Sequence, residues 1–145
     1  RSAAMIGTET TRLLIEAGPD IRQQMLRGPI RKIDGLLISH KHYDHVGGID
    51  ALRPFCKYGD INIYGDKGVT KSLPVTMPYC FPASSKELYP GAPKLQLHTI
   101  EPHHIYKIGD IEWMPVKVMH DKMPILGFRF GNFAYITDMK TIPDE

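Results

Sequence analysis

"SHKHYDHVGGID" (39–50) places His40, His42, Asp44 and His45 within six residues and follows them with Gly47 and Gly48. Imidazole and carboxylate are the usual protein ligands of zinc and similar transition metals. His40 and His42 are two apart, so on an extended loop both rings point the same way and can reach one ion. Asp44 and His45 follow where the chain turns into a helix. That turn swings them to another side of the loop, where a second ion can sit. Gly47 and Gly48 let the backbone pass close to a crowded site. An H-x-H-x-D-H pattern is hard to place in a core or to scatter over a surface by chance, so it points to metal binding.

Four ligands in one loop cannot satisfy two ions, so more must come from elsewhere. "DGLLIS" (34–39) reads as a buried strand that delivers the chain to the histidines. "DIEWMPVKVMH" (110–120) and "ILGFRFGNFAYITD" (125–138) end in the same manner, at His120 and Asp138. Strands that finish in polar, ligand-type residues place a site at one edge of a sheet. His120 and Asp138 therefore join the set, and a carboxylate such as Asp138 can bridge two ions through its two oxygens. Of the other histidines, His98 belongs on the polar face of an alternating strand. His103 and His104 are adjacent, so at most one could face the site, and both read as surface loop. Asp121 reads as an outer partner of His120 or a solvated charge.

The rest of the chain supplies the frame. "SAAMI" and "RLLIE" flank the turn "GTETT" and suggest a hairpin. "AGPDIRQQMLRG" (17–28) reads as a short helix, with Asp20 and Gln23 in a capping-box arrangement and Gly28 as its stop. "HVGGIDALRPFCKYG" (45–59) reads as one helix burying Ile49, Leu52 and Phe55 or Cys56, interrupted by Pro54. "INIYG" (61–65) and "KLQLHTI" (94–100) alternate like strands, and "DKGVTKSL" (66–73) suggests a helical turn or two. Pro115 implies that the strand before His120 is an edge or carries a bulge. Gly131-Asn132 is a hairpin turn. Residues 74–94 hold five prolines and read as a long loop or flap. Tyr79, Phe81 and Tyr89 would anchor it as a lid over the site, as a homodimer contact, or leave it a plain exposed loop.

Composition narrows the class. The chain has 145 residues, 42% of them apolar, which suits one compact domain, 1–145. With 18 basic against 16 acidic residues the net charge is +2, and no basic stripe argues for nucleic acid. No apolar run approaches the roughly 20 residues of a membrane span. Cys56 and Cys80 fit no zinc or redox spacing and read as reduced thiols of a cytoplasmic protein. There is no phosphate loop, no G-x-S-x-G and no cysteine beside a histidine, so no protein nucleophile competes with the metals.

At this point the residues resemble a known family. "SHKHYDHVGGID" looks like the signature loop of the metallo-β-lactamase superfamily. "LLIEAGPDIRQQML", "INIYG", "VMHDKMPILGFRFGNFAYITDM" and "IPDE" extend the likeness to the branch of the cyclic-phosphate phosphodiesterase of the carbon–phosphorus lyase pathway, akin to the tRNA 3′-processing endonucleases. The resemblance implies an α+β class and an αββα sandwich, largely its N-terminal half. It implies that His40, His42 and His120 hold one divalent ion, that Asp44 and His45 hold the second, and that Asp138 bridges. Asp44 and Asp138 are the implied catalytic positions, and Zn, Mn or Fe would suit the ligands. The implied activity is metal-dependent hydrolysis of a small-molecule phosphodiester by a hydroxide shared between the ions. Thioester or lactone hydrolysis, RNA processing and a non-catalytic metal scaffold are the alternatives. Three departures stand out. Glu16 occupies a position usually held by aspartate, which supports the signature loop. Asp121 stands where glycine often follows the third histidine. The family's N-terminal strand and last metal-binding histidine have no counterpart here, so a fragment is expected, with weak metal binding of its own.

Overall fold

The computed structural model describes residues 2–82, 84 and 90–143. The first sheet holds β1 (Ala4–Gly7), β2 (Arg12–Ile15), β3 (Gly35–Leu37), β4 (Ile61–Gly65) and β5 (Leu95–Thr99), in the order β1-β2-β3-β4-β5. β1 and β2 form the expected antiparallel hairpin, and β2 to β5 then run parallel. Parallel neighbours taken in sequence order wind in one direction, and right-handed crossovers put every connecting helix on the same face. Those connections are α1 (Ile21–Arg27), α2 (Tyr43–Val46) with the 3-10 helix Ile49–Tyr58, and α3 (Lys67–Thr76). The opposite face is left free to receive a second sheet.

That sheet is the antiparallel meander β6 (Tyr106–Ile108), β7 (Ile111–His120), β8 (Met123–Phe130) and β9 (Phe133–Tyr135). Alternation along the first sheet feeds two cores. Leu14, Leu36, Ile38, Ile61 and Ile63 pack toward the helices with Ile21, Ile49, Leu52 and Leu73. Leu13, Ile15 and Leu37 pack toward the meander, against Trp113, Leu126 and Phe128. Each fully buried aliphatic or aromatic side chain contributes roughly 1.5–3 kcal/mol by leaving water. Trp113 anchors the second core, edge-to-face with Tyr64 and Phe128 and stacked on Tyr106 at 5.0 Å. The two face-to-face sheets with helices outside the first are the expected sandwich. Among the described residues no helix covers the outer face of the meander.

Several local expectations need correction. The single helix over 45–59 is two pieces, α2 and the 3-10 helix, separated at Gly47-Gly48. Gly48 lies so close to the loop after β2 that a Cβ there would stand 2.1 Å from the Gly18 carbonyl oxygen. The helix bends around that contact rather than running through it. Asp20 stands at the N-terminus of α1 without capping it, and its Oδ1 accepts instead from Gln24 Nε2 at 2.8 Å. α3 continues through Pro74 to Thr76 and a 3-10 turn covers Pro78–Cys80, so the Pro-rich stretch begins as helix. Tyr89, one of its three candidate anchors, lies outside the described residues.

β7 is an interior strand, not an edge, yet it tolerates Pro115. β6 pairs only with Ile111 to Trp113, and the Pro115 carbonyl accepts from His103 N at 2.9 Å. The backbone of Pro115 therefore faces a loop beyond the end of β6, where the missing N–H breaks no ladder bond with β8. Gly131-Asn132 makes the predicted two-residue turn, with Gly131 at φ 57. Cys56 and Cys80 are both free thiols. No described helix is long and apolar enough to cross a membrane.

Candidate metal centre

Three loops meet at one edge of the sandwich. The loop after β2 and the signature loop after β3 are laced together through their backbones. Glu16 N donates to Leu37 O, Ala17 N to His45 O and Gly48 N to Ala17 O, at 2.8–2.9 Å. The second sheet ties in where Leu126 N donates to Ser39 O at 3.0 Å. The segment after β9 closes on β7 beside His120, with Met119 N donating to Thr141 O and Lys140 N to Met119 O.

This lacing collects all six predicted residues. His40, His42 and His120 present ligand atoms within 4.8 Å of one another, and so do His40, His45 and Asp138. His40 Nε2 lies 3.0 Å from His42 Nδ1 and 3.7 Å from Asp138 Oδ2. His45 Nε2 lies 3.1 Å from Asp138 Oδ2 and 3.3 Å from Asp44 Oδ2. Asp138 Oδ2 thus lies within reach of both His40 and His45. Asp44 is the outermost member, with a side chain 73% exposed.

The donor set fits a divalent cation. Two imidazole nitrogens on one tetrahedral ion at about 2.05 Å would be roughly 3.3 Å apart, close to the observed His40–His42 separation. Two ring nitrogens facing each other can share only one proton, whereas a cation between them satisfies both lone pairs. His120 Nδ1 is buried without a protein partner. His40 is pushed down to about 4, first by burial and then by the charges of His45 and His42, so its ring is neutral at pH 7. Neutral imidazole is the form that binds metal. Burial acts against ionisation of Asp138, but the Thr137 hydroxyl and His45 outweigh it and hold the carboxyl below its usual range.

Two buried groups orient the rings. Glu16 is fully buried and holds φ 62. Its Oε1 accepts from Ser39 N at 3.1 Å and its Oε2 faces His45 Nδ1 at 3.4 Å. Burial raises the Glu16 carboxyl against the opposing pull of His45 and Ser39. Burial also works against the His45 cation, yet Glu16, Asp44 and Asp138 reverse the sign and the ring is raised. A carboxylate on the far nitrogen of a ligating imidazole is the common way to fix its orientation. Ser39 Oγ stands 2.9 Å from His40 Nδ1 and does the same for that ring. Sequence reasoning reached Glu16 through the family pattern and missed Ser39, whose only signal is a hydroxyl directly before the first histidine.

The remaining candidates fall outside the cluster. His98 is exposed, stacked on Tyr64 with Nε2 2.8 Å from Asn62 Oδ1. His103 and His104 are exposed loop residues. Asp121 forms the β7–β8 turn at φ 58 and pairs with Lys140 at 3.4 Å. Its left-handed backbone explains why glycine suits this position, and aspartate is among the few other residues that accept it.

Known proteins resemble this chain in sequence and fold. An octanoyltransferase of Porphyromonas gingivalis (strain ATCC BAA-308 / W83) is 38% identical over 146 residues, covering all of this chain and 29% of that protein. Exodeoxyribonuclease YycJ of Bacillus anthracis is 25% identical over 151 residues, covering 97% of this chain and 51% of that protein. The crystal structure of a new diphosphatase from the PhnP family superposes with a TM-score of 0.85 at 29% identity, covering 98% of this chain and 53% of the other. The chain thus spans about half the length of the last two and under a third of the first. Residues 11–145 match the Beta-lactamase superfamily domain, and the chain belongs to that family.

Proposed function

We propose that this chain carries the catalytic centre of a metal-dependent hydrolase whose favoured substrate is a phosphodiester. His40, His42 and His120 would hold one divalent ion, Asp44 and His45 a second, and Asp138 would reach both. The observation that supports this reading is the pair of three-ligand groups that share His40. Zn, Mn or Fe all suit such ligands. When bound, the ions would supply Lewis-acid charge and make hydroxide available at neutral pH. The chain's own residues do the positioning. Ser39 and Glu16 hold two rings in fixed orientations, Asp138 keeps a carboxylate between them, and Asp44 faces solvent where substrate arrives. Kinship with proteins named diphosphatase and exodeoxyribonuclease supports a phosphorus centre as the site of attack.

A second reading has its own support. The relative that matches the whole of this chain is named for octanoyl transfer, which favours an acyl ester or thioester as substrate of the same centre. Metal analysis of the full-length protein with parallel assays on bis(p-nitrophenyl) phosphate and an octanoyl thioester separates the two. We expect chelator-sensitive turnover of the phosphodiester, abolished in Asp138→Ala. Turnover of the thioester alone would move the assignment to acyl chemistry. Full metal occupancy with neither activity would leave a scaffold.

A further inference from the structure

The near-neutral total charge conceals a local imbalance. Residues 21–33 carry Arg22, Arg27, Arg31 and Lys32 and no acidic residue. This segment and the end of the 3-10 helix enclose an open depression of about 390 Å³. Arg31 and Lys57 line it over a floor of Ile30, Pro54, Phe55 and Tyr58, and no carboxylate is among the lining residues. Arg31 is exposed and has no hydrogen-bond or ion-pair partner among the described residues. Lys57 Nζ rests 4.7 Å above the ring of Tyr58, which is 50% exposed. The carboxylates nearest in sequence are engaged. Asp34 accepts from Arg12 N at 2.9 Å and pairs with Lys32, and Asp60 accepts from Gln96 at 3.0 Å. Past Ile30 and Arg31 the surface continues to Arg12 and Lys32, with Glu9 as the one opposing charge besides Asp34.

We infer that this depression is a docking site for single-stranded nucleic acid, remote from the metal centre. Arg31, without a protein partner among the described residues, and Lys57, seated over one face of a half-exposed tyrosine, form the combination of cations and aromatic ring that holds a phosphate backbone and stacks a base without reading sequence. The 3-10 helix that links the two places starts just past the signature loop and ends at Tyr58. At about 2 Å per residue it sets them roughly 20 Å apart. A strand must therefore span several nucleotides to touch both, which makes the preferred phosphodiester a polymer. That last step rests on the phosphodiester reading; the binding itself does not.

The test measures binding alone. Fluorescence anisotropy of labelled dT12 and U12 is followed in EDTA across a salt series, so its failure is separable from failure of the hydrolytic assignment. Arg31→Glu/Lys57→Glu should bind both oligomers about tenfold more weakly, with a log K against log salt slope shallower by roughly 1.4. Lys67→Glu/Lys71→Glu on α3 makes the same charge change and should cost less than about threefold. Tyr58→Ala should cost about tenfold with the slope unchanged, the mark of lost stacking. Equal losses from the two double variants, or no loss from Tyr58→Ala, would overturn the site.

Discussion

The two walls of the metal centre are built differently. The wall formed by the loops after β2 and β3 has a buried base and an open rim: Glu16 and Ser39 are fully buried and His40 and His45 are 3% and 1% exposed, while His42 is exposed and the Asp44 side chain is 73% exposed. The wall formed by the second sheet is open. Asp138 is 33% exposed at its side chain, and it is held by its own segment folding back on Met119. One wall supplies histidines braced from behind, and the other brings a more exposed carboxylate to them. Stability and metal affinity should therefore separate between the two.

The sharpest way to break this contrast is at the glycine contact. Gly48→Ala would drive a methyl into the Gly18 carbonyl at 2.1 Å and the Ile21 side chain at 2.5 Å. We expect a loss of about 3 kcal/mol in chemical denaturation, since backbone on one side cannot yield. A wild-type midpoint would show that the wall is not rigid. Next comes Glu16→Gln, which keeps an acceptor for Ser39 N but removes the charge facing His45 Nδ1. Metal affinity, by competition with a chromogenic chelator, should fall about 10–100-fold while the apo protein keeps its secondary structure by circular dichroism. Asp138→Asn, which tolerates the left-handed backbone that Asp138 holds at φ 54, should leave apo stability within about 1 kcal/mol yet eliminate chelator-sensitive hydrolysis. A large loss of apo stability would mean that the two walls are not distinct. The smallest effect belongs to Lys140→Ala. Its ion pair with Asp121 joins side chains 63% and 70% exposed, and thermal denaturation should shift by under about 0.5 kcal/mol.

Both walls were legible at their candidate ligands. Spacing within H-x-H-x-D-H, and the apolar runs that lead to His120 and Asp138, were enough to nominate six residues, although the last strand stops at Tyr135 and Asp138 stands in the segment beyond it. What sequence could not show was three-dimensional crowding. The break at Gly47-Gly48 comes from a carbonyl thirty residues earlier pressing on the helix, and no local propensity records that. Pro115 was misread because β6 is shorter than β7, a fact of pairing and not of composition. Ser39 looked like a strand terminus until its hydroxyl was seen against His40. The charge balance hid the depression at Arg31 and Lys57 because a sum over the chain carries no positions.

The order of the sheets also has a temporal side. Every strand of the first sheet, β1 to β5, precedes every strand of the second along the chain. During synthesis the signature loop and its Glu16 brace are made before β7 to β9 exist. His45 must wait 93 residues for Asp138. Contacts of such long separation form late and slowly. In the nascent chain His40, His42, Asp44 and His45 are therefore made well before His120 and Asp138, and docking of the meander is the step that brings the six together.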